Sequence, residues 1–390
     1  MTENNNLKEL DSLYVANTYA KFPVEIAYGK GSFVWDNEGK KYIDMATGIA
    51  VNAFGVADEE WIKAVTDQML KYQHTSNLYY TEPCVKLAKL LCEKTDMKKV
   101  FFCNSGAEAN EGAIKAARKY AKEKHGADFY KIITLVNSFH GRTITTLAAT
   151  GQDSFHNDFL PLTEGFLYAE AGNIEAIKNL IKENKTAAIM IEVVQGEGGV
   201  IALDKDYVKA LYELCLENDI LLICDEVQTG NGRTGMLYGY MNYEVMPDIV
   251  STAKGIGGGL PIGAVMLGEK VKDVLTPGTH GSTFGGNPVC CAGAYNIMSR
   301  IDDALLNEVR EKSSYIINEL SKAKGIKSVT GMGLMLGLET EKDASQFIKE
   351  CTDNGVLVIK AKNKVRLLPA LNIPKEVLTE AIEVIKKVAQ

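Results

Sequence analysis

Between roughly residues 50 and 290, short apolar or β-branched runs alternate with longer stretches of helical periodicity. Runs of four to eight such residues, bounded by polar or glycine-rich breaks, predict strands over 99–103, 131–136, 187–194, 220–224, 248–251 and 263–267. Most follow an amphipathic stretch such as 207–217, so the region reads as repeated β-α units building a mostly parallel sheet. After about residue 290 the rhythm changes to a long helix over 305–324, strand-like segments, a helix over 344–354, more strand and a closing helix from Lys375. This predicts a second, smaller α/β domain. Near the start, Gly31 to Gly39 followed by Lys41-Tyr42-Ile43-Asp44 predicts a hairpin at the periphery or on the small domain. No 20- to 50-residue repeat and no Pro- or Ser-rich linker separates the parts, so close packing of the two domains is expected.

In such a sheet, chemistry belongs at the carboxyl ends of strands. The run Ile220-Leu221-Leu222-Ile223-Cys224 ends in Asp225, and Lys254 precedes the turn Gly255-Ile256-Gly257-Gly258-Gly259. A strand-end carboxylate for a pyridinium nitrogen, with a lysine amine able to form a Schiff base with an aldehyde, is the pair that pyridoxal phosphate most needs. The strand ending at Cys103 runs into Asn104-Ser105-Gly106-Ala107-Glu108, a capping residue and small residues opening a helix to about Lys122. Unpaired N–H groups and the positive dipole end fit that start to cradle a phosphate, although taken alone the pattern is that of an ordinary capped helix. Phe139, within Ser138-Phe139-His140-Gly141-Arg142-Thr143, can cover a flat ring, and Arg142 can grip a carboxylate through two parallel hydrogen bonds. Asp225-Glu226 also imitates a Walker-B acid, but no G-x-x-x-x-G-K-[ST] occurs to cradle a triphosphate. The glycines around Gly331-Met332-Gly333 lack the following helix of a dinucleotide loop and predict a tight turn.

The 390 residues allow one large domain with a smaller companion, and a net charge of −7 argues against nucleic acid or an anionic membrane as main partner. The polar start Met1 to Asn6 has no apolar h-region and no run approaches a membrane span, which together predict a soluble cytoplasmic protein. Eight cysteines without a C-x-x-C and five scattered histidines predict reduced thiols and no protein-built metal site.

Taken together, the segments resemble the class III, fold type I pyridoxal-phosphate aminotransferases, nearest in pattern to the members that act on acetylornithine. The likeness rests on Tyr42-Ile43-Asp44 with Gly48 to Asn52, Asn104 to Asn110, Phe139 to Thr143, Gln195-Gly196-Glu197-Gly198-Gly199, Asp225 to Gly230, Lys254, His280 to Pro288 and Arg366-Leu367-Leu368-Pro369. It implies a large domain on a seven-stranded-type, mostly parallel sheet (51–289), a smaller α/β domain (290–390), and an N-terminal segment (1–50) associated with the latter. It implies that Lys254 holds the cofactor as an imine and shuttles the proton, and that Asp225 pairs with the pyridinium nitrogen. Val227 and Phe139 would cover the two ring faces, and Gln228 would reach the phenolic oxygen. Ser105, Gly106 and Ala107 would take the phosphate, with Thr283 donated by the second subunit of a homodimer.

The same resemblance implies ping-pong transfer of the terminal amine of N2-acetylornithine to 2-oxoglutarate. Arg142 would grip the distal carboxylate, and Arg366 the keto acid's other carboxylate. Glu197 would neutralise Arg366 while the amine donor is bound, since a buried charge without a partner is costly. Ser282 and Tyr19 would line the substrate side. Gly48 stands where ornithine-specific relatives carry a tyrosine, leaving room for an acyl group. Succinylornithine, succinyldiaminopimelate, ornithine or 4-aminobutyrate as donor, a decarboxylase or aminomutase, and a cofactor-binding regulator without turnover stay open at this point. Departures from the family pattern fall at Gly55 to Glu60, at Val193 after Glu192, and at Ala370 after Pro369.

Overall fold

The computed structural model describes residues 7–390; Met1 to Asn6, read above as a polar start, lie outside them. Seven strands form the central sheet in the order Lys99–Cys103, Gly263–Leu267, Ile249–Thr252, Leu221–Asp225, Thr186–Ile191, Lys131–Leu135 and Phe166–Ala169. Only Gly263–Leu267 runs antiparallel to its neighbours. Its register, with Gly263 opposite Cys103 and Ala264 opposite Thr252, brings its amino end to the edge where the parallel strands have their carboxyl ends. Asn104, Asp225, Lys254 and the Leu260–Ile262 segment thereby converge on one rim. Strands Thr186–Ile191, Leu221–Asp225 and Ile249–Thr252 are buried along their whole length, which explains their continuous apolar runs.

The helix Gly106–His125 lies across this sheet on a stripe of small buried residues that includes Ala109, Ala113, Ala116 and Ala117. A second sheet orders Ile326–Met332, Met335–Thr340, Lys364–Leu367 and Ile359–Ala361, with Asp303–Leu320 and Ala344–Asp353 as its neighbouring helices and Lys375–Ala389 packed against both of them. The glycines near 331 form the predicted tight turn, since Met332 pairs with Met335 across Gly333-Leu334. The hairpin Phe33–Asp36 with Lys41–Asp44 forms as expected, and Lys41–Asp44 then pairs in parallel with Val356–Leu357 from the far end of the chain.

Two differences from the periodicity reading are instructive. The short edge strand Phe166–Ala169 lies outside the predicted strands and is only half-buried. The run 187–194 does not form one strand. It breaks after Ile191 because Glu192 turns its carboxylate to the N–H groups of Phe139 (2.8 Å) and Gly196 (3.4 Å), and Val194–Gln195 pairs separately with Ile201–Ala202. All eight cysteines are free thiols. Among the described residues no helix is long and apolar enough to cross a membrane, and no cluster of His, Cys, Asp and Glu is arranged to hold a metal ion.

Candidate active site

At the sheet's rim lies a cavity of about 440 Å³ whose lining includes Ser105, Gly106, Ala107, Phe139, Arg142, Asp225, Val227, Gln228 and Lys254. Asp225, the last residue of its strand, is 3 % exposed. One of its oxygens accepts from Asn110 Nδ2 (2.7 Å) and His140 Nδ1 (2.8 Å), and the other from the Val227 N–H (3.0 Å). Three donors on one buried carboxylate fix its orientation. Asn110 also donates to the His140 carbonyl at 2.7 Å, so helix and loop are locked together behind the acid.

Lys254 follows the strand Ile249–Thr252 in a left-handed backbone conformation (φ 48°), which is strained for a residue with a side chain. Burial lowers its pKa from the ordinary lysine value, and Arg366 adds to that, while the carboxylates of Glu197, Asp225 and Glu192 work against it. The outcome is an amine more readily neutral, and so more nucleophilic, than one in water.

Opposite, Ser105 caps the helix Gly106–His125 by accepting from the Glu108 N–H at 3.1 Å. The N–H groups of Gly106 and Ala107 belong to the first turn, where no intrahelical carbonyl can reach them, and both residues line the cavity. Gly106 is needed for close approach: a Cβ there would stand 2.6 Å from Val227 Cγ1. Between these ends, Val227 and Phe139 supply an aliphatic and an aromatic face.

Arg366 is 2 % exposed, and its Nη1 donates to Glu197 Oε1 (2.7 Å) and to Gln228 Oε1 (2.9 Å). Burial alone would raise the Glu197 pKa; the Arg366 charge and hydrogen bond outweigh it and hold the carboxyl below its ordinary value. Arg142 is an exposed residue on the cavity lining and has no carboxylate within ion-pair distance among the described residues.

The single chain does not bring every expected residue to the cavity: Glu197 and Arg366 stand behind its wall, reached through the lining residue Gln228. Tyr19 is 74 % exposed and lines no part of it. Gly48 belongs to Thr47–Ala50, four consecutive residues with φ between 47° and 64°, and lines a neighbouring cavity of about 760 Å³ with the N-terminal residues. Ser282 sits behind the phosphate-end residue Asn104, accepting from its Nδ2 at 3.1 Å. Thr283 is exposed on the adjoining loop. Conversely, Asn110, His140 and Glu192 join the site without any role read for them from the sequence. They make their contacts across up to 115 positions of chain, so no local spacing could have marked them. Val193, one of the departures, is fully buried, with its carbonyl accepting from Tyr243 OH, and stays out of the cavity.

A helix start with free N–H groups, an aromatic and an aliphatic wall, a carboxylate held by three donors and a lysine of lowered pKa in one cavity fit pyridoxal phosphate. Residues 14–389 match the aminotransferase class-III family. The chain belongs to the class III aminotransferases. It is 49 % identical to the acetylornithine aminotransferase of Haemophilus ducreyi, over 99 % of this chain and 98 % of that one. Against the acetylornithine aminotransferase of Methanocaldococcus jannaschii the identity is 45 %, over 98 % of each. Among solved structures, the ornithine aminotransferase of Toxoplasma gondii superposes with a TM-score of 0.94 at 34 % identity, over 98 % of this chain and 94 % of that one. The N-acetylornithine aminotransferase of Stenotrophomonas maltophilia superposes at 0.85 and 33 % identity, over 98 % of both. This aminotransferase is pyridoxal-phosphate dependent and has the fold type I architecture.

Proposed function

We propose that this aminotransferase moves the terminal amino group of N2-acetyl-L-ornithine to 2-oxoglutarate by a ping-pong mechanism, giving N-acetyl-L-glutamate 5-semialdehyde and L-glutamate. The observation that carries the reading is the Arg366–Glu197 pair at 2.7 Å, joined to the cavity-lining Gln228 by the second Arg366 hydrogen bond, together with an uncommitted Arg142 on the cavity lining. A dicarboxylate needs two cations, whereas an amine donor acylated at its α-nitrogen needs one and is repelled by a second. Glu197 supplies the difference by covering Arg366 when no substrate carboxylate does. Arg142 takes the carboxylate common to both substrates.

The chain's own groups share the remaining work. Ser105, Gly106 and Ala107 would hold the phosphate, Phe139 and Val227 would cover the ring, and Gln228, already bonded to Arg366, would meet its edge. Lys254, with its depressed pKa, takes the proton from the substrate carbon and returns it. Asp225, oriented by Asn110, His140 and the Val227 N–H, would pair with the ring nitrogen. The bound cofactor supplies an electron sink for the pair left on carbon when that proton departs.

A homodimer completes the site. Leu78, Tyr79, Tyr80 and Phe284 are large apolar residues left mostly exposed on the single chain. Asn77 donates to the Ser282 (3.0 Å) and Gly285 (2.8 Å) carbonyls, fusing both segments into one face. Burying that face against a second copy would carry Thr283 toward the other subunit's phosphate. Tyr19, Gly48 and Ser282 shape the substrate side of the assembled site, and the enzyme works in the cytoplasm. The deciding experiment exposes holoenzyme to each candidate amine separately, without keto acid, and follows the cofactor's visible absorbance. Acetylornithine should react with the highest specificity constant; a higher value for ornithine would overturn the donor assignment.

A further inference from the structure

Among the described residues no carboxylate lies within ion-pair distance of Arg142, yet its position is defined. Its guanidinium carbon lies 4.1 Å from the centre of the Phe155 ring and 5.5 Å from that of Phe139. The two rings meet edge to face at 5.7 Å and 72°. Phe155 is half-buried in the short turn Asp153–Phe155, does not line the cofactor cavity, and has no role in the readings above.

The turn's placement is not incidental. Arg142 directly precedes Thr143, the cap of the short helix Ile144–Ala149, and Phe155 lies just past that helix's other end. His156 Nε2 reaches back to the carbonyls of Thr150 (2.7 Å) and Leu147 (3.0 Å), closing the segment on itself. Gly151 is pressed against the sheet: a Cβ there would stand 2.1 Å from the Leu135 carbonyl oxygen. The arginine and the ring beneath it are thus mounted on one small unit anchored at both ends.

We infer that Phe155 is a positioning residue for substrate carboxylates, holding the Arg142 guanidinium by a ring contact that leaves its N–H fork unspent. A carboxylate partner in that place would fix the arginine equally well but consume the donors the substrate needs. An aromatic face attracts the cation through its quadrupole without taking any of them. Because Arg142 serves both half-reactions, Phe155 should affect the amine donor and the keto acid alike. This rests on the proposed role of Arg142, and the test separates the two ideas.

Binding of glutarate, an unreactive dicarboxylate, is measured calorimetrically on holoenzyme of the wild type and of Phe155→Leu, Phe155→Met, Phe155→Tyr and Arg142→Gln, with melting temperatures as a folding check. Phe155→Leu and Phe155→Met should bind glutarate roughly three- to tenfold more weakly, the size of one partly exposed cation–π contact, and Phe155→Tyr should bind as wild type does. In steady state the KM for acetylornithine and for 2-oxoglutarate should rise together with kcat nearly unchanged. If Arg142→Gln loses glutarate but Phe155→Met binds it normally, or if Phe155→Tyr is as weak as Phe155→Leu, the inference about Phe155 fails. If Phe155→Leu melts early, the Phe155→Met result decides. Wild-type affinity in Arg142→Gln would instead sink the role given to Arg142 itself.

Discussion

Replacing Glu197 by Gln tests the electrostatic gate with little change of shape. The pair it perturbs is tight and nearly dry: 2.7 Å between Arg366 Nη1 and Glu197 Oε1, with the arginine side chain 2 % exposed and the carboxylate 29 %. The glutamine amide oxygen can still accept from Arg366, so what disappears is the charge. The difference between a charge-assisted and a neutral hydrogen bond is about 1–2 kcal/mol, and the Gln228 oxygen at 2.9 Å stays on the arginine. An Arg366 no longer neutralised should then favour any donor that brings its own carboxylate. The ratio of specificity constants for glutamate over acetylornithine should rise about tenfold, since 1.4 kcal/mol corresponds to a factor of ten. Stopped-flow half-reactions on holoenzyme, one amine at a time, measure that ratio directly. A ratio within a factor of two of wild type would refute the gate, whatever happens to the absolute rates.

Lys254→Ala should retain weak cofactor binding and lose turnover by at least ~10²-fold, the lower range for a positioned proton-transfer group; multiple turnovers at the wild-type rate would remove Lys254 from its role. Gly106→Ala places a Cβ 2.6 Å from Val227 Cγ1, an overpacking of about 1–3 kcal/mol, so fluorescence titration should show weaker cofactor binding with the helix intact by circular dichroism. Glu192 is fully buried, and burial pushes its pKa from 4.5 up to about 7, with Asp225 adding to the effect and His140 opposing it. A carboxyl whose folded pKa is raised contributes stability that is present below about pH 4.5 and lost as pH rises through 7, here up to ~3 kcal/mol. In cofactor-free protein, Glu192→Gln should therefore flatten the fall in melting temperature between pH 5 and 8, and an unchanged slope would show that Glu192 does not titrate there.

Several elements were legible from local pattern. The strands at 99–103 and 263–267 have the expected bounds, and the apolar run ending in Asp225 and the capped helix start at Ser105 are where period and capping chemistry place them. These features are encoded within a few consecutive residues: burial on both faces of a parallel strand demands uninterrupted apolar side chains, and a helix start demands an acceptor. The break at Glu192 was not legible, because it is caused by N–H groups 53 and 4 residues away rather than by its immediate neighbours. The same holds for Asn110 and His140 behind Asp225, and for Phe155 beneath Arg142. By itself, then, the order of residues determined which groups can do the chemistry and which strand ends carry them. Only the tertiary structure decided which groups orient them, since the carboxylate of Asp225, the amine of Lys254 and the fork of Arg142 are held by partners that come near only when the chain is folded.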